Sequence, residues 1–364
     1  MKDSKRLVNQ HNNFKNPNLI LHTMQDQNTE ELLSINSSPK EQEDLAKKAM
    51  IKQGYDFVGN HAAAKVCTWT KRGLSGKGVC YKQTFYGIRS HRCVQMTPTQ
   101  TCNHACTFCW RDLNSHTSIS MGEDIDDPKQ IVEGCIKSQN QKLIGFKGNH
   151  DINQELYKES NKPLHFAISL NGEPAIYPKL GELIQELKSK NISSYVVTNG
   201  TFPERLEELY NKDQLPTQLY ISVDAPNEEL YNKIDQPLTP EFWNKFVQSL
   251  KLLPELKKKT RTTLRFTLIK NHNMCNPEQW AEIIKISQPL FVEVKGYMWI
   301  GYSRERHERQ DMPSHEEVRA FTGKICKHSG YKYIDEQEVS NVVLIMKEDF
   351  EGRIMRFEES VNNL

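Results

Sequence analysis

Residues 93–110 read CVQMTPTQTCNHACTFCW, a short apolar run followed at once by three cysteines spaced CxxxCxxC. The run VQMTPT (94–99) has strand character, so Cys102, Cys106 and Cys109 lie on the loop that leaves a strand. Five further apolar runs follow: LHFAISL (164–170), SYVVTNG (194–200), LYISVDA (219–225), LRFTLIK (264–270) and FVEVKGYM (291–298). Between them lie stretches with apolar residues at helical spacing, such as YPKLGELIQELKSKN (177–191) and TPEFWNKFVQSLKLL (239–253). Strands alternating with helices predict parallel βαβ units, and six of them predict an α/β fold with a partial, open (βα)6 barrel. VVLIMK (342–347) reads as an added edge strand. Working groups in such barrels collect at the C-terminal ends of the strands.

Working outward, residues 1–38 are rich in Asn, Gln, Ser and Lys and read as a disordered tail. A helix is expected from Pro39, with Glu41, Glu43 and Asp44 suited to the positive end of its dipole, stopping near Gly54. The domain reading is then an N-terminal extension over 39–93, a barrel over 94–345 and a C-terminal tail over 346–364. The 364 residues fit one large domain, and a 37% apolar, 26% charged composition is that of a soluble globular protein. No run approaches a membrane span, and the first residues lack an apolar signal core, so a cytoplasmic protein with no membrane partner is expected. A net charge of +2 neither requires nor excludes nucleic acid. The basic residues nevertheless cluster, with Lys65, Lys71, Arg72, Lys77, Lys82, Arg89 and Arg92 in one stretch.

Six of the nine cysteines fall between Cys67 and Cys109, which in a cytosolic chain points to metal rather than disulfides. Three thiolates in one short loop suit a [4Fe–4S] cluster whose fourth iron is open to the amino and carboxylate groups of a small molecule. A zinc knuckle is the rival reading, and it wants a fourth ligand that His104, inside the loop, is poorly placed to give. Phe108 and Trp110 would shield a cluster from water. Upstream, Cys67, Cys80 and Cys93 are separated by 12 and 12 residues. They read either as an apolar corner or as ligands of a second [4Fe–4S] cluster. Cys135, Cys275 and Cys326 lack spaced partners and read as ordinary buried thiols.

CxxxCxxC after the first strand of a barrel resembles the radical S-adenosylmethionine (SAM) superfamily. That resemblance implies SAM on the open iron, with Gly172, Glu173 and Pro174 of LNGEP meeting its methionine amino group. The ends of the next two strands, TNG (198–200) and SVDAP (222–226), supply Asn199, Ser222 and Asp224 as further cofactor contacts, the last two toward the ribose. Asp and Ser are also common turn residues.

The stretch KGVCYKQTFYGIRSHRCVQMTPTQTCNHACTFCWR (77–111) is similar to the tRNA 4-demethylwyosine synthase family of wybutosine biosynthesis. The likeness continues through SLNGEP, VTNG, YISVDAP and VEVKGYMWIGYSRERH, spanning roughly 50–345. It implies a carbon–carbon lyase that converts N1-methylguanosine at position 37 of phenylalanine tRNA into a tricyclic base, with pyruvate supplying two carbons. It implies two [4Fe–4S] clusters and a Schiff base between Lys82 and pyruvate. It also implies contact with the anticodon loop, and, for a short archaeal-type form without a flavodoxin-like domain, an external donor such as flavodoxin or ferredoxin. A monomer is expected.

Two readings stay open on the residues alone. Glu293, Lys295 and Tyr297 either line the barrel mouth or form an internal ion pair, and Arg304, Arg306 and Arg309 are either phosphate contacts or a solvated helix end. Two other functions also stand: a radical SAM enzyme acting on a non-tRNA substrate, and a non-catalytic metal-cluster RNA-binding module.

Overall fold

The computed structural model describes residues 39–113 and 117–357, with side chains from residue 45 onward. The expected disordered tail over 1–38 lies outside the described residues. The chain divides into two compact units, residues 1–50 and 51–364. The described part of the first is the start of helix α1 (Pro39–Lys52), where proline at the first position costs no helical hydrogen bond.

The second unit is built on ten strands. Six are parallel and in sequence order: β3 (Cys93–Thr97), β4 (His165–Ile168), β5 (Ser193–Thr198), β6 (Gln218–Val223), β7 (Arg261–Leu268) and β8 (Phe291–Gly296). They are the six runs legible in the sequence. Two short antiparallel strands, β1 (Asp56–Val58) and β2 (Ala62–Ala64), extend the sheet beside β3. On the other side β10 (Val342–Met346) pairs antiparallel with β8 and also with β9 (Lys332–Gln337). VVLIMK is therefore not an edge strand. All five residues of β10 are buried, whereas β9, reading KYIDEQ, tolerates the solvent-facing edge.

The crossover helices start where their sequences say. Asp127 caps α4 (Pro128–Ile144), accepting from the backbone N–H groups of Lys129 and Gln130. Ser314 and Glu317 form a capping box on α11 (His315–Ser329). Between these lie α5 (Gln154–Ser160), α6 (Leu180–Ser189), α7 (Pro203–Asn211), α8 (Glu228–Ile234), α9 (Phe242–Leu256) and α10 (Pro277–Ser287).

Strand parity sorts the side chains into two layers. Val94, Met96, Phe166, Ile168, Val196, Leu219, Ile221, Leu264, Phe266, Val292 and Val294 face outward and pack with the helices. The alternate positions face the barrel interior, and there Tyr195, Tyr220 and Phe291 meet Tyr81, Phe85 and Tyr86. The last three belong to α3 (Tyr81–Tyr86), which follows α2 (Thr68–Leu74) in the extension. The extension thus supplies part of the barrel's inner core. Among the described residues no helix is long and apolar enough to cross a membrane.

Candidate active site

The cysteine loop crosses the C-terminal ends of the strands and is held from three sides. The segment after α8 pairs with it, through Ala105 N to Gln236 O at 3.1 Å, Thr107 N to Ile234 O at 2.8 Å and Leu238 N to Asn103 O at 3.0 Å. Asn199, at the end of β5, donates from Nδ2 to Asn103 Oδ1 at 2.7 Å, and Asn103 donates in turn to Thr201 Oγ1 at 2.8 Å. From below, Arg306 donates to the carbonyls of Thr107 and Cys109, and Tyr302 N donates to Trp110 O. Arg111 reaches the carbonyls of Gln100 and His104 and lies among Cys102, Cys106 and Cys109.

The GEP turn packs directly on this loop. Gly172 has φ +67°, and a Cβ there would stand 2.1 Å from Thr99 O. Glu173 N donates to Thr101 O at 2.7 Å. Its buried carboxylate accepts from Ala175 N at 2.9 Å, Thr198 Oγ1 at 2.6 Å and Asn199 N at 2.7 Å. Burial pushes this carboxyl up to about 7, against those hydrogen bonds. Pro174 opens a 3₁₀ turn, Pro174–Ile176. The Gly172→Ala protein is expected to lose about 1–3 kcal/mol from the backbone alone. Urea denaturation reads this, and an unchanged midpoint would show that the turn relaxes around a methyl group.

Asp224, at the end of β6, lies against Asp235, and Cys106 donates its thiol hydrogen to Asp235 Oδ1 at 3.5 Å. Burial raises the Asp224 carboxyl to about 6, and burial followed by the Asp224 charge holds Asp235 well above the carboxylate range. Ser222 is half-buried on the same strand. His104 bonds through Nε2 to Tyr231 OH at 2.8 Å, and one of its nitrogens comes within 4.8 Å of donor atoms on Cys106 and Asp235. It is therefore closer to the ligand set than its place in the loop implied.

The second cysteine group converges although its members come from three elements. Cys67 and Cys80 are the N-cap residues of α2 and α3, with nearly identical φ/ψ of −63°/144° and −64°/143°. Cys93 opens β3. All three lie close enough to interact electrostatically, and Cys80 and Cys93 also lie close to Lys82. The Lys82 ammonium stands 4.6 Å from the Tyr220 ring centroid and 5.8 Å from that of Tyr195. Lys82 is buried, and burial followed by the Arg265 charge lowers its pKa.

The anchor of this chamber is Glu293, which the sequence singled out without its partners Tyr81, Tyr86 and Arg265. Glu293 is fully buried and accepts from Tyr81 OH and Tyr86 OH, both at 2.9 Å, and from Arg265 Nε at 3.1 Å. Of the two readings for β8 the ion pair is the one formed, and its cation is Arg265. Lys295 donates to Ser340 O, and burial lowers its pKa to about 8. Tyr297 OH meets Ser303 Oγ at 2.8 Å. Arg304 stacks on Trp299 and Arg306 turns inward to the cysteine loop, which leaves Arg309 exposed. The upstream basic stretch also divides. Lys77 pairs with Asp151, Arg89 with Glu159, and Arg92 is buried, while Lys71 and Arg72 stay exposed.

Both cysteine groups suit clusters. Burial holds the Cys80 thiol at about 11, Cys93 at about 12 and Cys102 at about 11, so a cationic group is needed to stabilise thiolates there. Neither triad is drawn within 4.8 Å as the ligands of one ion would be. Among the described residues seven buried side-chain polar atoms have no hydrogen-bond partner, and four of them ring the first group: His104 Nδ1, Asn171 Oδ1, Asp224 Oδ1 and Asp235 Oδ2. A buried polar atom without a protein partner is open to water, an ion or a ligand.

The chain matches the family described as "Radical SAM superfamily" over residues 96–284 and that described as "Wyosine base formation" over 286–347. It is 44% identical over 319 residues to the S-adenosyl-L-methionine-dependent tRNA 4-demethylwyosine synthase of Pyrococcus abyssi (strain GE5 / Orsay), covering 87% of this chain and 92% of the relative. The protein of the same name from Pyrococcus horikoshii is 46% identical over 313 residues, covering 85% of this chain and 90% of the relative. A solved structure of TYW1 with a lysine-pyruvate adduct bound superposes with a TM-score of 0.76 at 32% identity, covering 85% of this chain and 98% of that one. This chain belongs to the tRNA 4-demethylwyosine synthase family of the radical SAM superfamily.

Proposed function

We propose that this protein converts N1-methylguanosine at position 37 of phenylalanine tRNA into 4-demethylwyosine, with SAM and pyruvate as co-substrates. The observation that carries the reading is the buried Lys82 amine, held between Tyr195 and Tyr220 beside Cys80 and Cys93 inside the barrel. Family membership supports it, as does the lysine-pyruvate adduct in the related TYW1 structure.

In this reading Cys102, Cys106 and Cys109 hold one [4Fe–4S] cluster and Cys67, Cys80 and Cys93 a second. The cluster that Cys102, Cys106 and Cys109 would hold would supply, when reduced, the electron for reductive cleavage of SAM. Gly172, Glu173 and Pro174 form the turn that receives the methionine end of SAM, with Asn199, Ser222 and Asp224 along the adjoining strand ends. Asn199 also holds the loop in place through Asn103. Lys82 condenses with the ketone of pyruvate: its nitrogen forms a C=N bond to C2, and the ketone oxygen leaves as water. A neutral amine is required for that attack, and burial beside Arg265 favours one. Two pyruvate carbons remain in the product, and the carboxylate carbon departs by C–C cleavage. The target base stands in a single-stranded loop, so it is splayed into the barrel mouth at modest cost, with exposed Lys71, Arg72 and Arg309 available to phosphates. Electrons come from an external donor.

The test is an anaerobic incubation of reconstituted protein with SAM, a reductant, pyruvate and phenylalanine tRNA bearing N1-methylguanosine. Mass spectrometry of the digested nucleosides is expected to show a tricyclic base whose formation requires pyruvate. Deoxyadenosine without any change in the nucleoside would mean that the substrate is wrong.

A further inference from the structure

Behind the cysteine loop, away from the chemistry above, three ligand-type side chains meet. His272 follows β7, while His307 and Asp311 belong to the loop after β8, Asp311 closing the short turn Arg309–Asp311. Asp311 Oδ2 stands 3.4 Å from His272 Nε2 and 3.5 Å from His307 Nδ1, and the three donor atoms all lie within 4.8 Å of one another. Asp311 is held in place, Oδ1 accepting from Asn271 Nδ2 at 2.8 Å and Oδ2 from Glu308 N at 2.9 Å. His307 is held at its other nitrogen, Nε2 meeting Thr107 Oγ1 at 2.9 Å.

The unexplained atom is His307 Nδ1. His307 is 6% exposed, and this nitrogen has no hydrogen-bond partner. It faces Asp311 Oδ2 at 3.5 Å, and because Thr107 Oγ1 can donate to Nε2 as well as accept from it, Nδ1 carries either a hydrogen aimed at that carboxylate or a lone pair open to a cation. The nearby cations are engaged elsewhere: Arg306 on the carbonyls of Thr107 and Cys109, and Lys270 on Glu317. A tetrahedral zinc ion with bonds of about 2.0 Å sets its ligand atoms about 3.3 Å apart, which is close to the two spacings seen. A ligating histidine that donates its second N–H to a fixed acceptor is the usual outer-shell arrangement. His272, about one-third exposed, leaves a route for the ion and for water in the fourth position.

We propose that His272, His307 and Asp311 form a zinc site. The site ties the end of β7 to the loop carrying Arg306, and through Thr107 and Arg306 it stiffens the back of the cysteine loop. Neither catalysis nor the assignment of the two cysteine groups depends on it.

The experiment uses the reconstituted holoenzyme, incubated with zinc sulfate and desalted, with zinc and iron counted by mass spectrometry and zinc K-edge absorption recorded. About one zinc per chain is expected, in a shell of nitrogen and oxygen without sulfur. His272→Ala, at a partly exposed position, and His307→Leu are both expected to lose the zinc while iron stays at the wild-type level. Thr107→Val is expected to weaken binding by about 10–100-fold through the freed His307 ring. Absence of zinc after desalting, sulfur in its shell, or full zinc retention by the His272→Ala protein would each overturn the proposal. The last two results would place the metal on the cysteines or elsewhere.

Discussion

Replacing Lys82 with Ala is expected to abolish formation of the tricyclic base while SAM cleavage continues. The two outcomes separate because the two sites are built from different residues. Glu173, Asn199 and Asp224 are grouped with the Cys102–Cys109 loop, whereas the Lys82 amine lies between two tyrosine rings beside Arg265, Cys80 and Cys93. Without covalent capture, pyruvate must be positioned by binding alone, and a loss of roughly 10³-fold or more in product is expected. Lys82→Arg keeps a charge but offers no free amine, so it is expected to fail equally. Deoxyadenosine release and nucleoside mass spectrometry read the two halves separately. Trapping with cyanoborohydride gives an independent readout: the wild-type protein should gain a reduced pyruvate adduct and the Lys82→Ala protein should not. Product formation at the wild-type rate by Lys82→Ala would refute the Schiff-base role.

Glu293→Ala is expected to be the most damaging change away from the reacting groups. Glu293 accepts from Tyr81, Tyr86 and Arg265 in a fully buried setting, so its removal leaves the Arg265 charge uncompensated and takes the acceptor from two hydroxyls, with only the Arg265–Tyr81 hydrogen bond remaining. Breaking a buried pair from one side costs about 3–5 kcal/mol. The loss has a direction as well as a size. Tyr81 and Tyr86 dock α3 into the barrel, and α3 carries Cys80 at its N-cap and Lys82 in its first turn. On the proposed assignment of a cluster to each cysteine group, iron on Cys67, Cys80 and Cys93 should therefore fall while that on Cys102, Cys106 and Cys109 persists. Urea denaturation, iron analysis and low-temperature EPR of the two clusters together check this. A variant with the wild-type midpoint and full iron would show that α3 docks by the apolar packing of Phe85 and Tyr86 in the cluster with Phe291 alone.

Much of this was local and therefore legible. The CxxxCxxC spacing places three thiols on one loop whatever surrounds it, and the six apolar runs with intervening helical periodicity allow little but a parallel barrel. Gly172 was legible only through the resemblance of LNGEP to the superfamily's motif, and the contact with Thr99 O that excludes a side chain there is tertiary. The edge-strand reading of VVLIMK failed because pairing partners are not written in a strand's own composition. Here β9, polar enough to face water, takes the edge, and β10 is covered on both sides.

The sequence by itself determined the fold class, the first cysteine loop and the positions of Cys67, Cys80, Cys93 and Lys82 as candidates. Only the tertiary structure decided which residues surround them. Tyr195, Tyr220, Arg265 and Glu293 are spread over four strands and look like ordinary alternation, and strand register alone turns them into one chamber. The same holds for Arg306 and His307, whose reach to Thr107 spans about 200 residues of chain. Spacing along a chain encodes contacts within a turn or a loop. Contacts between strands depend on how the sheet closes, and that is settled by the burial of all its faces together.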